Sequence, residues 1–79
     1  MASTRTARAF GQVLKEARKG AELSQEELAL KARVSRYYVG LLESGKKNAT
    51  LDVVVRMTKV LKIPLGTFMT EVERKMTKS

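Results

Sequence analysis

The chemistry on offer in this sequence is that of cations and exposed rings. Sixteen Lys and Arg stand against eight Asp and Glu, a formal net charge of +8, and an excess of that size favours a polyanionic partner or surface. In the stretch SRYYVGLLESG, from Ser35 to Gly45, both tyrosines of the chain lie side by side directly after Arg36. The pair is either a piece of core or a surface that reads something.

The chemistry that is missing narrows the choice of function. The chain has no histidine, the commonest general base and neutral metal ligand, and no cysteine, so disulfides and thiolate metal sites are excluded. Its carboxylates fall in the scattered strings KE, QEE and TEVER, a pattern of solvated helix faces rather than of a paired acid and base. No catalytic residue, metal site, cofactor, small-molecule ligand or enzymatic activity is expected. Nucleic acid and an anionic membrane both answer to the charge. No apolar run approaches the roughly 20 residues needed to span a bilayer, and the opening MASTRTARAF lacks the apolar stretch of a secretory signal. The expectation is a cytoplasmic protein with no membrane partner.

Whatever Arg36, Tyr37 and Tyr38 do, helices must hold them, because apolar residues recur at helical spacing and nowhere alternate with a period of two for long. With 79 residues, 43% hydrophobic, one core and one domain are expected. The reading is an all-α, compact bundle of five short helices with a core from about 6 to 76. Phe10, Val13, Leu14 and Ala17 give a first helix from about Thr6 to Lys19, which Gly20 terminates, with Arg8, Gln12, Lys15 and Lys19 outward. In LSQEEL, Ser24 and Glu27 form a capping box and Leu23 and Leu28 a hydrophobic staple, opening a second helix that runs to about Ala32. VSRYYV repeats the staple, with Val34 before the cap Ser35 and Val39 beyond it. Gly45 stops this third helix, and GKKNAT leads to Thr50 and Asp52 at the start of a fourth. On the fourth helix Leu51, Val54, Val55, Thr58 and Leu61 mark the inner face. Pro64 ends it and pre-sets a fifth, whose Leu65, Phe68, Met69, Val72 and Met76 line one side. Residues 1 to 5 and 77 to 79 are expected to fray.

The two helices across the tight turn, about 24 to 44, make a helix-turn-helix, a common arrangement whose details carry the argument. Ala29 is small where the helices cross, and Leu28, Ala32, Val34, Val39 and Leu42 are apolar where both turn inward. At about 100° per residue, a buried direction set by Val39 and Leu42 turns Tyr37, Gly40, Leu41 and Ser44 away from the core, with Arg36 on one shoulder and Tyr38 on the other. Tyr37 is therefore read as exposed for contact. Tyr38 rests its ring on the domain and offers its hydroxyl at the edge, or else simply packs. Gly40 costs about 1 kcal/mol inside a helix, and a second body coming close is its easiest explanation. Leu41 is an apolar residue facing out.

From Arg8 to Met69 the chain resembles the Cro/XRE-type helix-turn-helix family of phage-repressor-like regulators. The resemblance rests on SQEELA at the entry, VS in the turn, ESGKKNATL at the exit and IPLGTF at the close. Within that family it is most similar to small stand-alone dimeric regulators, including controller proteins of restriction-modification systems. The resemblance implies that the helix starting at Ser35 lies in the major groove of double-stranded DNA, with Arg36 and Tyr37 reading bases. Arg36 suits the O6 and N7 of guanine, Gly40 admits the close approach, and Leu41 suits a thymine methyl. It further implies that Gln25 reaches a phosphate from the start of the second helix. Ser44, Lys46, Lys47 and Asn48 bind phosphates from the following loop, with the edge hydroxyl of Tyr38 beside them. Arg18 and Glu43 are expected to pair as scaffold. Two departures stand out: Arg33 replaces the glycine usual in the turn, and Ala49 a frequent proline.

A short helix reads few base pairs, so two copies on half-sites about 34 Å apart are expected. The fifth helix, about 64 to 76, supplies the dimer contact through part of the stripe Leu65, Phe68, Met69, Val72 and Met76, unless that stripe packs wholly within one chain. The reading is a homodimeric, sequence-specific transcription regulator on a palindromic operator, repressing by blocking RNA polymerase or activating by touching it. Two rivals remain at this point: an antitoxin-type module that binds a protein partner as well as DNA, and a sequence-blind basic nucleic-acid binder.

Overall fold

The computed structural model describes residues 4–78, and among these it contains five helices and no strand. They are α1 (Thr4–Gly20), α2 (Gln25–Ala32), α3 (Arg36–Glu43), α4 (Leu51–Leu61) and α5 (Leu65–Lys78). Residues 1–3 and 79, for which fraying was expected, lie outside the described residues, while the remaining residues of those stretches are helical.

Hydroxyl caps set the starts of α2, α3 and α4. Ser24 Oγ accepts from the Glu27 backbone N–H at 3.0 Å, and the Glu27 carboxylate accepts from the Ser24 N–H at 2.8 Å, which completes the capping box. That bond to the Ser24 backbone holds the Glu27 carboxyl below the usual carboxylate range, helped by the Ser24 hydroxyl. Ser35 Oγ accepts from Tyr38 N–H at 3.0 Å, and Thr50 Oγ1 from Val53 N–H at 3.2 Å.

One device closes the first four helices. The chain enters the left-handed region at Glu22, Arg33, Gly45 and Lys62, and the next residue donates back five positions. Leu23 bonds Arg18, Val34 bonds Ala29, Lys46 bonds Leu41 and Ile63 bonds Thr58. The helix α1 ends at Gly20, as expected, but its left-handed closing residue is Glu22 and not the glycine. The closing turn carries Leu23, Val34 and Ile63 onto the core, which offsets the strain of a side chain at positive φ.

The core is one cluster drawn from all five helices, with Leu14, Leu28, Val39, Leu42, Met57 and Phe68 at its centre. Phe10 of α1 meets Phe68 of α5 edge to face, ring centroids 5.5 Å apart. Thr58 is buried without penalty because its hydroxyl donates to the Val55 carbonyl at 3.0 Å. Two faces differ from the sequence reading. α4 is apolar at more positions than one face can bury, and the core takes Val53, Val54, Met57, Thr58 and Leu61. That leaves Leu51 73% exposed and Val55 half-buried. On α5, Phe68 and Val72 are spent in the chain's own core, so they cannot form the surface of a dimer, and the exposed part of that stripe is Leu65 and Met69. Met76 lies half-buried at the edge of the core.

Candidate nucleic-acid interface

The turn between α2 and α3 is short because Arg33 reverses the chain in a single left-handed step, φ 64° and ψ 43°. Ala29, buried at the crossing, lets the two helices approach, and Val34 drops into the core between them. Arg33 accepts the unfavourable backbone and does not reshape the turn. Arg33→Gly should therefore stabilise the fold by about 0.5–1 kcal/mol, the relief of side-chain strain less the entropy glycine gains when unfolded. Thermal denaturation checks this, with a rise of a few degrees expected.

Seated on this turn, α3 is two-sided. Val39 and Leu42 are 0% exposed, whereas Tyr37 is 73% exposed. Arg36 is exposed beside Tyr37, and Tyr38 is half-buried with its ring against the core. Gly40 and Leu41 are half-exposed, so Leu41 turns outward less fully than the wheel suggests. A methyl group built onto Gly40 would meet nothing within 4 Å, so nothing in the chain's own packing requires glycine there.

Three further elements border this face. Lys46, Lys47 and Asn48 are exposed in the loop after α3, where Gly45 turns at φ +77° against the backbone of Arg8. Ser44 is exposed too, but its hydroxyl proton already goes to the Leu41 carbonyl at 3.1 Å and must be released before it can donate elsewhere. At the start of α2, Gln25 is half-buried and its amide nitrogen donates to Glu43 Oε1 at 3.0 Å.

Behind the face, Arg18 and Glu43 join α1 to α3. Arg18 Nε donates to Glu43 Oε2 at 2.6 Å and Nη2 to Oε1 at 3.1 Å, with side-chain exposures of 11% and 4%. Arg18 Nη1 also donates to the Leu23 carbonyl at 2.7 Å. Paired and hydrogen-bonded charge of this kind tolerates burial, and loss of either partner would strand the other. Sequence reasoning finds the pair but misses the Gln25 and Leu23 arms. It also misses Gly11, which is buried where α1 meets the C-terminal carbonyls of α3, and the exposure of Leu51.

Leu51 lines an apolar groove where α1, α4 and α5 meet, together with Phe10, Val54, Leu65 and Met69. The sequence assigned only Leu65 and Met69 of this patch. Among the described residues no cluster of acidic side chains is placed to hold a metal ion, and no helix is long and apolar enough to cross a membrane.

Residues 14–68 match the family model described as Helix-turn-helix. Among solved structures, the restriction-modification controller protein C.AhdI from Aeromonas hydrophila is 35% identical, over 78% of this chain and 94% of that one, with a TM-score of 0.76. The clp gene regulator ClgR from Corynebacterium glutamicum is 25% identical over 91% of this chain and 77% of its own, with a TM-score of 0.87. The controller protein C.Esp1396I, solved as a tetramer in complex with its natural 35 base-pair operator, shares the fold at 22% identity. It covers 91% of this chain and 95% of its own, with a TM-score of 0.81. No curated protein matches the chain.

Proposed function

The chain belongs to the Cro/XRE-type helix-turn-helix family, and on that premise we propose that it is a homodimeric, sequence-specific DNA-binding transcription regulator acting on a palindromic operator. It is not an enzyme. The observation that carries the reading is the two-sidedness of α3: a helix anchored by Val39 and Leu42 that presents Arg36 and Tyr37 free of the core. A B-form major groove admits one such helix, and an exposed guanidinium at its leading end suits the paired acceptors of guanine. Leu41 contributes the edge that faces a thymine methyl. Gln25, Tyr38, Ser44, Lys46, Lys47 and Asn48 hold the phosphates on either side and set the register in which α3 enters.

Gly40 gives this reading a sharp test, because the free protein has no use for it. Gly40→Ala should stabilise the unbound chain by about 1 kcal/mol while weakening operator binding, since the added methyl occupies space that DNA needs. Denaturant unfolding and DNA titration on the same variant measure both. Unchanged affinity would remove Gly40 from the interface.

The dimer contact is assigned to Leu65 and Met69 together with Leu51 and the groove beside them, an apolar patch spanning α4 and α5. The reading as a whole is tested by selecting bound duplexes from a random pool. A motif with twofold symmetry and half-sites about one helical turn apart supports both specificity and dimeric binding. Recovery of no motif would favour the rivals, a charge-driven, sequence-blind binder or an antitoxin-type module whose main partner is a protein.

A further inference from the structure

We propose that Glu43, beyond bracing the fold, is a positioning residue that fixes which way the Gln25 carboxamide faces DNA; this rests on the reading of Gln25 as a phosphate contact. A glutamine amide can turn either its oxygen or its nitrogen outward, and only the nitrogen can serve an incoming phosphate. Glu43 decides the matter by chemistry. Its carboxylate accepts hydrogen bonds and cannot donate them, so the end of Gln25 that faces it must be the NH₂. The geometry follows that rule: Gln25 Nε2 lies 3.0 Å from Glu43 Oε1. The opposite orientation would set the amide oxygen against a carboxylate oxygen. One amide hydrogen is thus committed to Glu43 and the second stays available.

Glu43 is itself held. Arg18 grips both of its oxygens, at 2.6 and 3.1 Å, and is tied in turn to the Leu23 carbonyl at 2.7 Å. A chain of hydrogen bonds therefore runs from the closing turn of α1 through Arg18 and Glu43 to the first residue of α2. Two features suit this arrangement to anion binding rather than to stability alone. The Arg18 charge balances that of Glu43, so the buried carboxylate does not repel a nearby phosphate. Gln25 is also ordered before DNA arrives, which removes the cost of freezing a long side chain on binding. Because Glu43 is the last residue of α3, the same bond ties the phosphate contact to the base-reading helix.

The test is a double-mutant cycle on DNA affinity, using the full chain with Gln25→Ala, Glu43→Gln and both together, on a selected duplex and an unrelated one. Gln25→Ala should weaken both duplexes alike, by roughly tenfold or more. Glu43→Gln keeps an acceptor for Arg18 but lets the neighbouring amide turn over, and should weaken binding to a similar degree. The double variant should bind no worse than Gln25→Ala. Losses that multiply would show that Glu43 acts only through the fold, overturning the proposal and leaving the phosphate contact intact. An unchanged affinity for Gln25→Ala would overturn the phosphate contact and the proposal with it. If Glu43→Gln does not fold, the native protein still decides through its Gln25 side-chain amide resonances. One proton should be held apart and exchange slowly in the free protein, and its partner should shift when duplex is added. Two protons that exchange freely in the unbound protein would overturn the proposal.

Discussion

Arg36→Ala is expected to reduce the ratio of operator to random-duplex affinity by roughly 30-fold to 10⁴-fold, while nearly sparing binding to random DNA. The range follows from one bidentate guanine contact worth about 1–3 kcal/mol of discrimination, present twice in a dimer. The side chain is well placed for such a loss to be clean. Arg36 is exposed at the first position of α3, forms no ion pair among the described residues and supports no core contact, so removing it should leave stability almost unchanged. The contrast is with Lys46→Ala/Lys47→Ala, which should weaken operator and random duplex together and flatten the dependence of affinity on salt, since phosphate contacts act through released counterions. Paired titrations at several salt concentrations separate the two behaviours. If Arg36→Ala instead left the specificity ratio where it was, base reading would have to be moved to another residue.

Gly11→Ala should destabilise the fold by about 3 kcal/mol or more, the upper end of what an overfilled core contact costs. Gly11 is where α1 crosses the end of α3. A Cβ there would lie 2.7 Å from the Glu43 carbonyl oxygen and closer still to that of Leu42. Both obstacles are backbone, fixed by the closing turn of α3, and no side-chain rotation relieves them. Either α1 lifts away from the core, parting Phe10 from Phe68, or α3 tilts. Against a domain of this size such a loss lowers the melting temperature by on the order of 15 °C. Thermal unfolding followed by circular dichroism measures it, and a melting temperature within two or three degrees of the parent would mean that α1 and α3 are less tightly apposed than the geometry requires. A variant that tilts α3 should also lose operator affinity although no DNA-facing residue has changed.

These two residues mark the boundary of what the sequence could disclose. Arg36 is legible because the features that expose it are local: the Ser35 cap fixes where α3 begins, and Val39 and Leu42 fix which way it turns. The capping box at Ser24 and Glu27 is legible for the same reason. Gly11 is not, because its constraint comes from carbonyls more than thirty residues away. Leu51 was misread because α4 offers apolar residues on several sides, and periodicity alone cannot say which side the core will take. The pattern of the α5 stripe shows that it is wide but not which part the core takes: Phe68 and Val72 complete the core, and Leu65 and Met69 are left outside it. Gly20 does end α1, but the left-handed step falls at Glu22, where it places Leu23 against the core, and that burial outweighs the strain of a side chain at positive φ.

The central claim is that α3 enters the major groove and touches bases there, and the reactivity of guanine N7, which lies on that groove's floor, tests it most directly. On a selected operator, the protein should shield N7 from methylation at two positions related by twofold symmetry, and Arg36→Ala should restore reactivity at both while the duplex remains bound. Full N7 reactivity on DNA saturated with the native protein would contradict the account.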